Sequence, residues 1–331
     1  MLTRKSSKWM VLGIVLFVFA LVQQVASQQL KLPRVSPEMK VVGTIGLTKV
    51  AVMYSSPAVR GREIWGKLVP YGLTKFGFGG GNPAPWRAGA NENTIIYFGN
   101  DVKINGNPLP AGKYGLHMIV SETEWTVIFS KNTSSWGSFF YDEAEDALRI
   151  KVTPAKAEFL ERLTYGFENF KPNSADVFLH WEKLKVKFNV EVETDALVLQ
   201  SIKDQLRGII GFTWQGYHQA GVYCIQANKH LDQGLKWLKK SIQLNENATN
   251  RNTLGYLLMT MNKKDESIKV FRENIKKYPT DWNVFDSLGE NLVKIGEKKE
   301  GIKYYKLALK KSPPDIQKKR IEEVLKTLQG K

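Results

Sequence analysis

A repeated spacing in the last third of the chain limits its fold more than any other sequence feature. Leu254-Gly255 is followed 34 residues later by Leu288-Gly289, and Ala220-Gly221 precedes the first of these pairs by the same 34 residues. The interval also separates Ser267 from Gly301, Phe271 from Tyr305, and Pro279 from Pro313. Repeats of about this length are typical of stacked helix pairs, in which small residues let two helices approach and an aromatic residue fills the gap. The spacing therefore predicts an α-helical array.

These positions resemble the tetratricopeptide repeat pattern. The first repeat is degenerate, because Gly234 lies one position closer to Ser267 than the repeat interval requires. We predict a helical repeat domain over residues 196–331 with about two and a half to three repeats, near the minimum for a stable stack. A linking or capping helix is expected from Asp195 to Arg207, and a closing helix from Ile316 to Leu328. The resemblance implies that a protein partner docks on the concave face of the array.

Residues 28–195 show the period-two alternation of half-buried β-strands. Leu148, Ile150 and Val152 alternate with charged residues, and the run from Leu184 to Val190 does the same with lysines and an asparagine. Asn105-Gly106 is a strong signal for a two-residue hairpin turn, because both residues tolerate positive φ. The strands follow one another too closely for crossover helices. We therefore predict an antiparallel β-sandwich followed by the helical array.

The N-terminus has the pattern of a secretory signal peptide over residues 1–27. Basic residues are followed by an uncharged apolar run from Trp9 to Val22, and Val25-Ala26-Ser27 offers small residues for cleavage before Gln28. We expect export to the periplasm or cell envelope, or secretion. The alternative is an uncleaved anchor, although the run is shorter than the roughly 20 residues that span a bilayer.

The formal net charge of +16 is unevenly distributed. Residues 28–195 contain 20 Lys and Arg against 18 Asp and Glu, whereas residues 196–331 contain 25 against 14. The basic helices could face an anionic surface or an acidic partner, or they could simply be solvated by their lysines. Export argues against nucleic acid as the partner. Cys224 is the only cysteine, so no intrachain disulfide can form, and we expect a buried, inert thiol.

Candidate binding residues cluster in two neighbouring loops of the β domain. They are Arg60, Arg62, Trp86, Arg87, Asn91 and Glu92. Arginine forks onto carboxylate, phosphate or sulfate, and tryptophan stacks on a sugar or an aromatic ring. These residues therefore suggest a pocket for a small polar ligand, a glycan or a peptide. The alternative is a structural network of Arg-Glu pairs with an asparagine cap. Between the two loops, Tyr71–Arg87 is a long glycine-rich connection, and such loops are often functional or mobile.

His180 and Glu182 complete the set of candidates. Both share the parity of Leu184 and Val186, so they point to the core unless a β-bulge changes the phase. A buried Glu182 would need an arginine partner or a proton. Glu92 or Glu182 could instead serve as the acid or base of an envelope hydrolase, which is our alternative function. A metal site would need His117, His180 and Glu182 to meet. No catalytic motif is present, so we expect a non-catalytic binding or scaffold protein without metal or cofactor.

Long stretches of the β domain resemble the bacterial family DUF2911, a domain of unknown function. The stretches are Tyr54-Ser55-Ser56-Pro57 to Arg60-Gly61-Arg62, Leu68-Val69-Pro70-Tyr71-Gly72, Trp86-Arg87-Ala88-Gly89-Ala90-Asn91-Glu92, Leu109 to Leu116, Glu124 to Phe129, Trp136-Gly137 and Trp181-Glu182. One departure is the glycine-rich insertion between Tyr71 and Trp86. The resemblance implies export in a bacterial envelope, and it implies no particular activity or catalytic residue.

Overall fold

The computed structural model describes residues 32–330. The predicted signal peptide, and the anchor that is its alternative, lie outside these residues. The chain divides into two compact units between Thr194 and Asp195. Within residues 32–330, every helix is too short or too polar to span a bilayer.

The first unit consists of antiparallel strands in two sheets. The strands are β1 (Glu38–Ile45), β2 (Thr48–Ser55), β3 (Ala90–Phe98), β4 (Val102–Ile104), β5 (Asn107–Leu109), β6 (Gly112–Ile119), β7 (Trp125–Ser130), β8 (Asp146–Val152), β9 (Ala155–Lys171) and β10 (Ser174–Glu191). One sheet has the order β1-β2-β3-β6-β7-β8 and the other the order β5-β4-β10-β9. The predicted antiparallel β fold is confirmed.

Local sequence explains the turn between β4 and β5. Asn105 and Gly106 have φ values of 47° and 83°, the two positive angles of a type I′ turn. The turn pairs Ile104 with Asn107 across a two-residue loop. The hairpin predicted at Asn-Gly is therefore present.

The core of the β unit lies between the inner faces of the two sheets. Val186, Phe188 and Val190 on β10 are buried, whereas the intervening Lys187 is exposed. Trp125 on β7 of the other sheet is completely buried in the same cluster. Aromatic side chains bury the largest areas, so this layer supplies much of the stability of a unit whose sequence contains no cysteine.

The second unit contains eight α-helices in the described residues. They are α1 (Thr194–Gln205), α2 (Trp214–Ala227), α3 (Leu231–Leu244), α4 (Ala248–Thr260), α5 (Lys264–Lys277), α6 (Trp282–Lys294), α7 (Lys298–Leu309) and α8 (Asp315–Gln329). The pairs α2–α3, α4–α5 and α6–α7 pack against each other, and the first helix of each pair begins at the repeat interval found in the sequence. The predicted tetratricopeptide-like array, with a helix before it and a closing helix after it, is confirmed.

Small residues sit where paired helices touch, as the repeat pattern predicts. A Cβ added to Gly301 on α7 would lie 2.8 Å from the carbonyl oxygen of Gly289 on α6. Cys224 on α2 is fully buried, and burial raises the pKa of its thiol. Cys224 therefore acts as a packing residue, as its position in the repeat predicts.

Candidate functional site

A cleft of about 340 Å³ opens in the β unit beside the loops that precede and follow the glycine-rich connection. Five of the predicted residues line it: Arg60, Arg62, Trp86, Arg87 and Asn91. They lie on the segment after β2 and on the segment that enters β3. The sequence thus predicted all three charged residues that line this cleft.

Tryptophans form the base of the cleft. The rings of Trp86 and Trp181 are stacked, with centroids 6.1 Å apart and planes 18° from parallel. Trp65 packs edge-on against both rings at 5.8 Å. The backbone of Trp86 pairs with Met118 of β6, and its Nε1 donates to the carbonyl of Gly89 at 3.2 Å. These contacts hold the rings in place, so the cleft has a preformed aromatic floor.

Arg87 is the most enclosed charge in the cleft. Its Nη1 donates to the carbonyl of Asn91 at 2.7 Å, and its Cζ lies 4.8 Å from the centroid of the Phe139 ring. The guanidinium also packs on the backbone of Gly137, where an added Cβ would overlap it. Burial lowers the pKa of Arg87. Within residues 32–330 no carboxylate forms an ion pair with it, so the described residues desolvate its charge without neutralising it.

The other two arginines are held by backbone contacts. Arg62 donates from Nε to the carbonyl of Val59 at 3.0 Å and from Nη2 to that of Ala58 at 2.6 Å. The backbone N–H of Arg60 donates to the Glu161 carboxylate at 2.9 Å. Neither guanidinium forms an ion pair with a carboxylate in the described part of the chain. The described residues that line the cleft thus include three arginines and no Asp or Glu.

Three residues at or beside the cleft have left-handed backbone although none is glycine. Arg60, Ala88 and Asn91 have φ values of 51°, 49° and 59°. Left-handed conformations are costly for residues other than glycine, and they cluster at functional sites where the surrounding structure maintains them. Arg60 and Asn91 themselves line the cleft and Ala88 directly follows Arg87, so these conformations shape the backbone that carries the cleft-lining side chains.

A buried histidine supports the wall of the cleft. His117 on β6 is 2% exposed, and its Nδ1 lies 2.9 Å from the Oγ of Ser138, which lines the cleft. Burial, assisted by the nearby charge of Arg87, lowers the pKa of His117 to about 4. The imidazole is therefore neutral at physiological pH. Its role is to position the Gly137–Phe139 segment against Arg87.

Residues 36–190 match the family model described as "Protein of unknown function (DUF2911)". The β unit is the part of the chain that matches DUF2911. The match includes every strand of the unit except the last residue of β10. It also includes all the residues that line the cleft apart from Val35. The Trp86–Glu92 stretch, which carries the resemblance in the sequence, supplies the aromatic floor and the enclosed arginine of the domain.

Solved structures similar to the chain each cover about a third of it. The crystal structure of MamA is 22% identical over 36% of this chain and 69% of its own, with a TM-score of 0.31. PcrH from Pseudomonas aeruginosa is 12% identical over 35% and 91%, with a TM-score of 0.32. The Yersinia enterocolitica chaperone SycD, solved with a peptide of the translocator YopD, is 14% identical over 35% and 91%, with a TM-score of 0.31. No curated protein is significantly similar in sequence.

Glu92 of the β unit lies in a neighbouring depression rather than in the cleft. Its carboxylate pairs with Arg34 at 2.7 Å and accepts a hydrogen bond from Ser55 at 3.4 Å. Partial burial acts to raise the pKa of Glu92, but the hydrogen bonds and the Arg34 charge outweigh it and lower the pKa. Glu92 is thus an ionised residue engaged by an arginine outside the predicted set.

His180 and Glu182 do not point to the core. The β9–β10 register shifts between His180 and Glu182 and again between Glu182 and Leu184, and Glu182 has a φ of 54°. These bulges reverse the phase, so Leu179 and Trp181 are buried instead. The interpretation of Glu182 as a core carboxylate paired with arginine is therefore wrong, and the bulge that was its alternative is present.

The polar groups of these two residues have local partners. His180 donates from Nε2 to the carbonyl of Glu158 at 2.8 Å, and the Glu182 carboxylate accepts from the backbone N–H of Lys183 at 2.6 Å. No cluster of three His, Cys, Asp or Glu side chains suited to a metal occurs in residues 32–330. The metal site considered for His117, His180 and Glu182 therefore has no geometric support.

Sequence reasoning missed several cleft residues that come from distant segments. Trp181 lies on β10, Ser138 follows β7, and Phe76 lies in the glycine-rich loop. The only sequence signals near Trp181 and Ser138 were the Trp181-Glu182 and Trp136-Gly137 pairs of the family pattern. No local signal marks Phe76 as a wall of the cleft.

Proposed function

We propose that the DUF2911 domain is a non-catalytic binding module for a small anionic ligand that also carries a flat or apolar group. The observation that supports this most directly is the enclosed Arg87, which has no carboxylate partner within residues 32–330. A desolvated guanidinium without a counter-charge is costly, and an anionic ligand would supply that charge through paired hydrogen bonds. Arg60 and Arg62 add to the positive potential, and Trp86 offers a ring for stacking.

The hydrolase alternative has less support. Acid-base hydrolysis generally needs a second carboxylate or a bound water within reach of the first. Glu92 lies on β3 and is engaged by Arg34, whereas Glu182 lies on β10 of the other sheet and faces away from the core. Neither lines the cleft. The geometry therefore favours binding over catalysis.

Replacing Arg87 with glutamine tests the binding function. We expect phenyl phosphate to bind the purified protein measurably in isothermal titration calorimetry and the neutral benzyl alcohol to bind far more weakly. Loss of the charged hydrogen bonds in Arg87→Gln should weaken phenyl phosphate binding roughly 10- to 100-fold. Lys113→Gln is the matched control, since it removes one positive charge from an exposed side chain on β6. Equal binding by both variants, or no binding by the wild type, would contradict the proposal.

We further propose that the chain is an exported envelope protein whose helical unit docks a protein partner. The leader pattern of residues 1–27 supports export, and the stacked helix pairs offer the kind of extended surface that such arrays use for binding. Protein isolated from the envelope fraction should begin at Gln28. After cross-linking in cells it should carry a protein partner, and deletion of residues 196–331 should remove that partner. An intact Met1 in a cytoplasmic fraction would exclude export, and an unchanged cross-linked partner after the deletion would exclude docking by the helices.

A further inference from the structure

Large apolar side chains are exposed around the mouth of the cleft. Their exposed fractions range from 42% at Tyr71 to 60% at Phe78. Leu68, Leu73, Trp136 and Phe140 are exposed to a similar degree. All come from two segments that flank the cleft, residues 68–78 and 136–140. Grouped apolar side chains exposed at the edge of a cleft typically mark a binding surface, whereas single scattered ones do not.

The exposed side chains of residues 68–78 and 136–140 form an apolar rim. One phenyl ring connects this rim to the enclosed arginine. Phe139 lies 4.8 Å from the Arg87 guanidinium, and its ring centroid is 5.1 Å from that of Phe76 and 4.6 Å from that of Phe78. Phe76 also lines the cleft itself. A ligand whose anionic group reaches Arg87 therefore meets aromatic surface immediately beside that group.

Hydrogen bonds hold the rim in place. The backbone N–H of Thr74 donates to the carbonyl of Ala84 and the N–H of Ala84 donates back, both at 2.9 Å. Nearer the tip of this glycine-rich loop, the N–H of Gly80 donates to the carbonyl of Phe139 at 2.8 Å. The loop is thus closed on itself at its base and tied to the Phe139 segment beyond it. The exposed phenyl rings belong to a built surface.

We infer that the natural ligand is an amphipathic anion, with its carboxylate or phosphate on Arg87 and an alkyl chain lying over the aromatic rim. The inference rests on the proposed anion-binding function and adds the chemistry of the rest of the ligand. The charges favour a single anionic group at one end, because the arginines line the cleft and the rim carries mostly apolar side chains. Free fatty acids and the phosphate esters of long-chain alcohols share this chemistry.

A chain-length series tests the inference in the purified protein. Butanoate, octanoate and decanoate are titrated by calorimetry below their micelle concentrations, with octyl phosphate compared to octanoate to distinguish the two head groups. Each methylene that is fully buried tightens binding about fourfold, and a half-open rim gives less. We expect decanoate to bind at least tenfold more tightly than butanoate. The neutral alcohol 1-octanol should bind much more weakly than octanoate.

Phe78→Ser distinguishes the rim from non-specific adsorption. This variant should lose most of the gain in affinity between butanoate and decanoate. Phe170→Ser is the matched control, because Phe170 is a similarly exposed phenylalanine on β9 that does not line the cleft. It should keep the full chain-length dependence.

The outcomes separate the two proposals. If phenyl phosphate binds but decanoate binds no more tightly than butanoate, the amphipathic ligand is excluded and the anion site stands. A chain-length gain that Phe78→Ser and Phe170→Ser reduce equally would also exclude the rim. If phenyl phosphate and all the alkyl anions fail to bind, the anion-binding function itself is wrong.

Discussion

Replacing Trp181 with alanine is expected to lower the free energy of unfolding of the β unit by about 3–5 kcal/mol, the usual cost of truncating a fully buried aromatic residue. Trp181 is 1% exposed, and its ring contacts those of Trp65 and Trp86 at centroid distances of 5.8 and 6.1 Å. Its Nε1 also donates to the carbonyl of Glu161 at 3.4 Å. Alanine would leave a cavity between the sheets and remove a wall of the cleft.

Native-state hydrogen exchange with mass spectrometry measures this effect separately in the two units. The slowest amides of β6 and β7 report the opening free energy of the β unit, and those of α6 report the helical unit. Trp136→Ala is the control, because Trp136 is 53% exposed and its loss should cost less than about 1 kcal/mol. Equal effects of Trp181→Ala and Trp136→Ala would show that Trp181 does not pack as described.

Acidification from pH 6.5 to pH 4 is expected to destabilise the protein by about 3 kcal/mol through His117 alone. Burial and the Arg87 charge lower the pKa of His117 in the folded state to about 4, from its ordinary 6.5. Between these values the unfolded chain binds a proton that the folded chain does not. Stability contributed by the neutral imidazole is therefore complete above pH 6.5 and is lost progressively as the pH falls.

The comparison of wild type with His117→Gln at pH 7 and pH 5 isolates this effect. Other groups titrate equally in both proteins, so the difference in unfolding free energy between the two pH values belongs to residue 117. In urea denaturation, the unfolding free energy of the wild type should fall by about 2 kcal/mol more than that of the variant between pH 7 and pH 5. This loss arises in the part of the interval that lies below pH 6.5. Parallel pH profiles of wild type and His117→Gln would contradict the buried, neutral histidine.

The sequence predicted the features that depend on short-range rules. The repeat spacing sets where α2, α4 and α6 begin, and Asn105-Gly106 specifies its turn because few residue pairs tolerate two positive φ angles. The sequence identifies the loop arginines because Arg60, Arg62 and Arg87 lie in two short stretches of the chain. The fold then brings these two stretches together at the cleft.

Features that depend on tertiary contacts were not predictable in the same way. No period-two pattern marks β1 in the sequence, because the apolar residues Val41 and Val42 are adjacent and Met39 and Val42 are exposed. Around Trp181, apolar residues occupy both parities of β10, so only the pairing with β9 decides where the phase changes. The bulge then brings Trp181 rather than Glu182 to the cleft, a choice that no local pattern encodes.

The backbone pairing of Thr74 with Ala84 closes the base of the glycine-rich loop, and beyond it Phe76 and Phe78 pack against Phe139. Residues added or removed beyond that pairing are expected to affect Arg87, because its guanidinium packs on the same Phe139 ring. Under the proposed function, the contacts with the two ends of a ligand are therefore coupled through one phenyl ring, and a change in the loop would alter both.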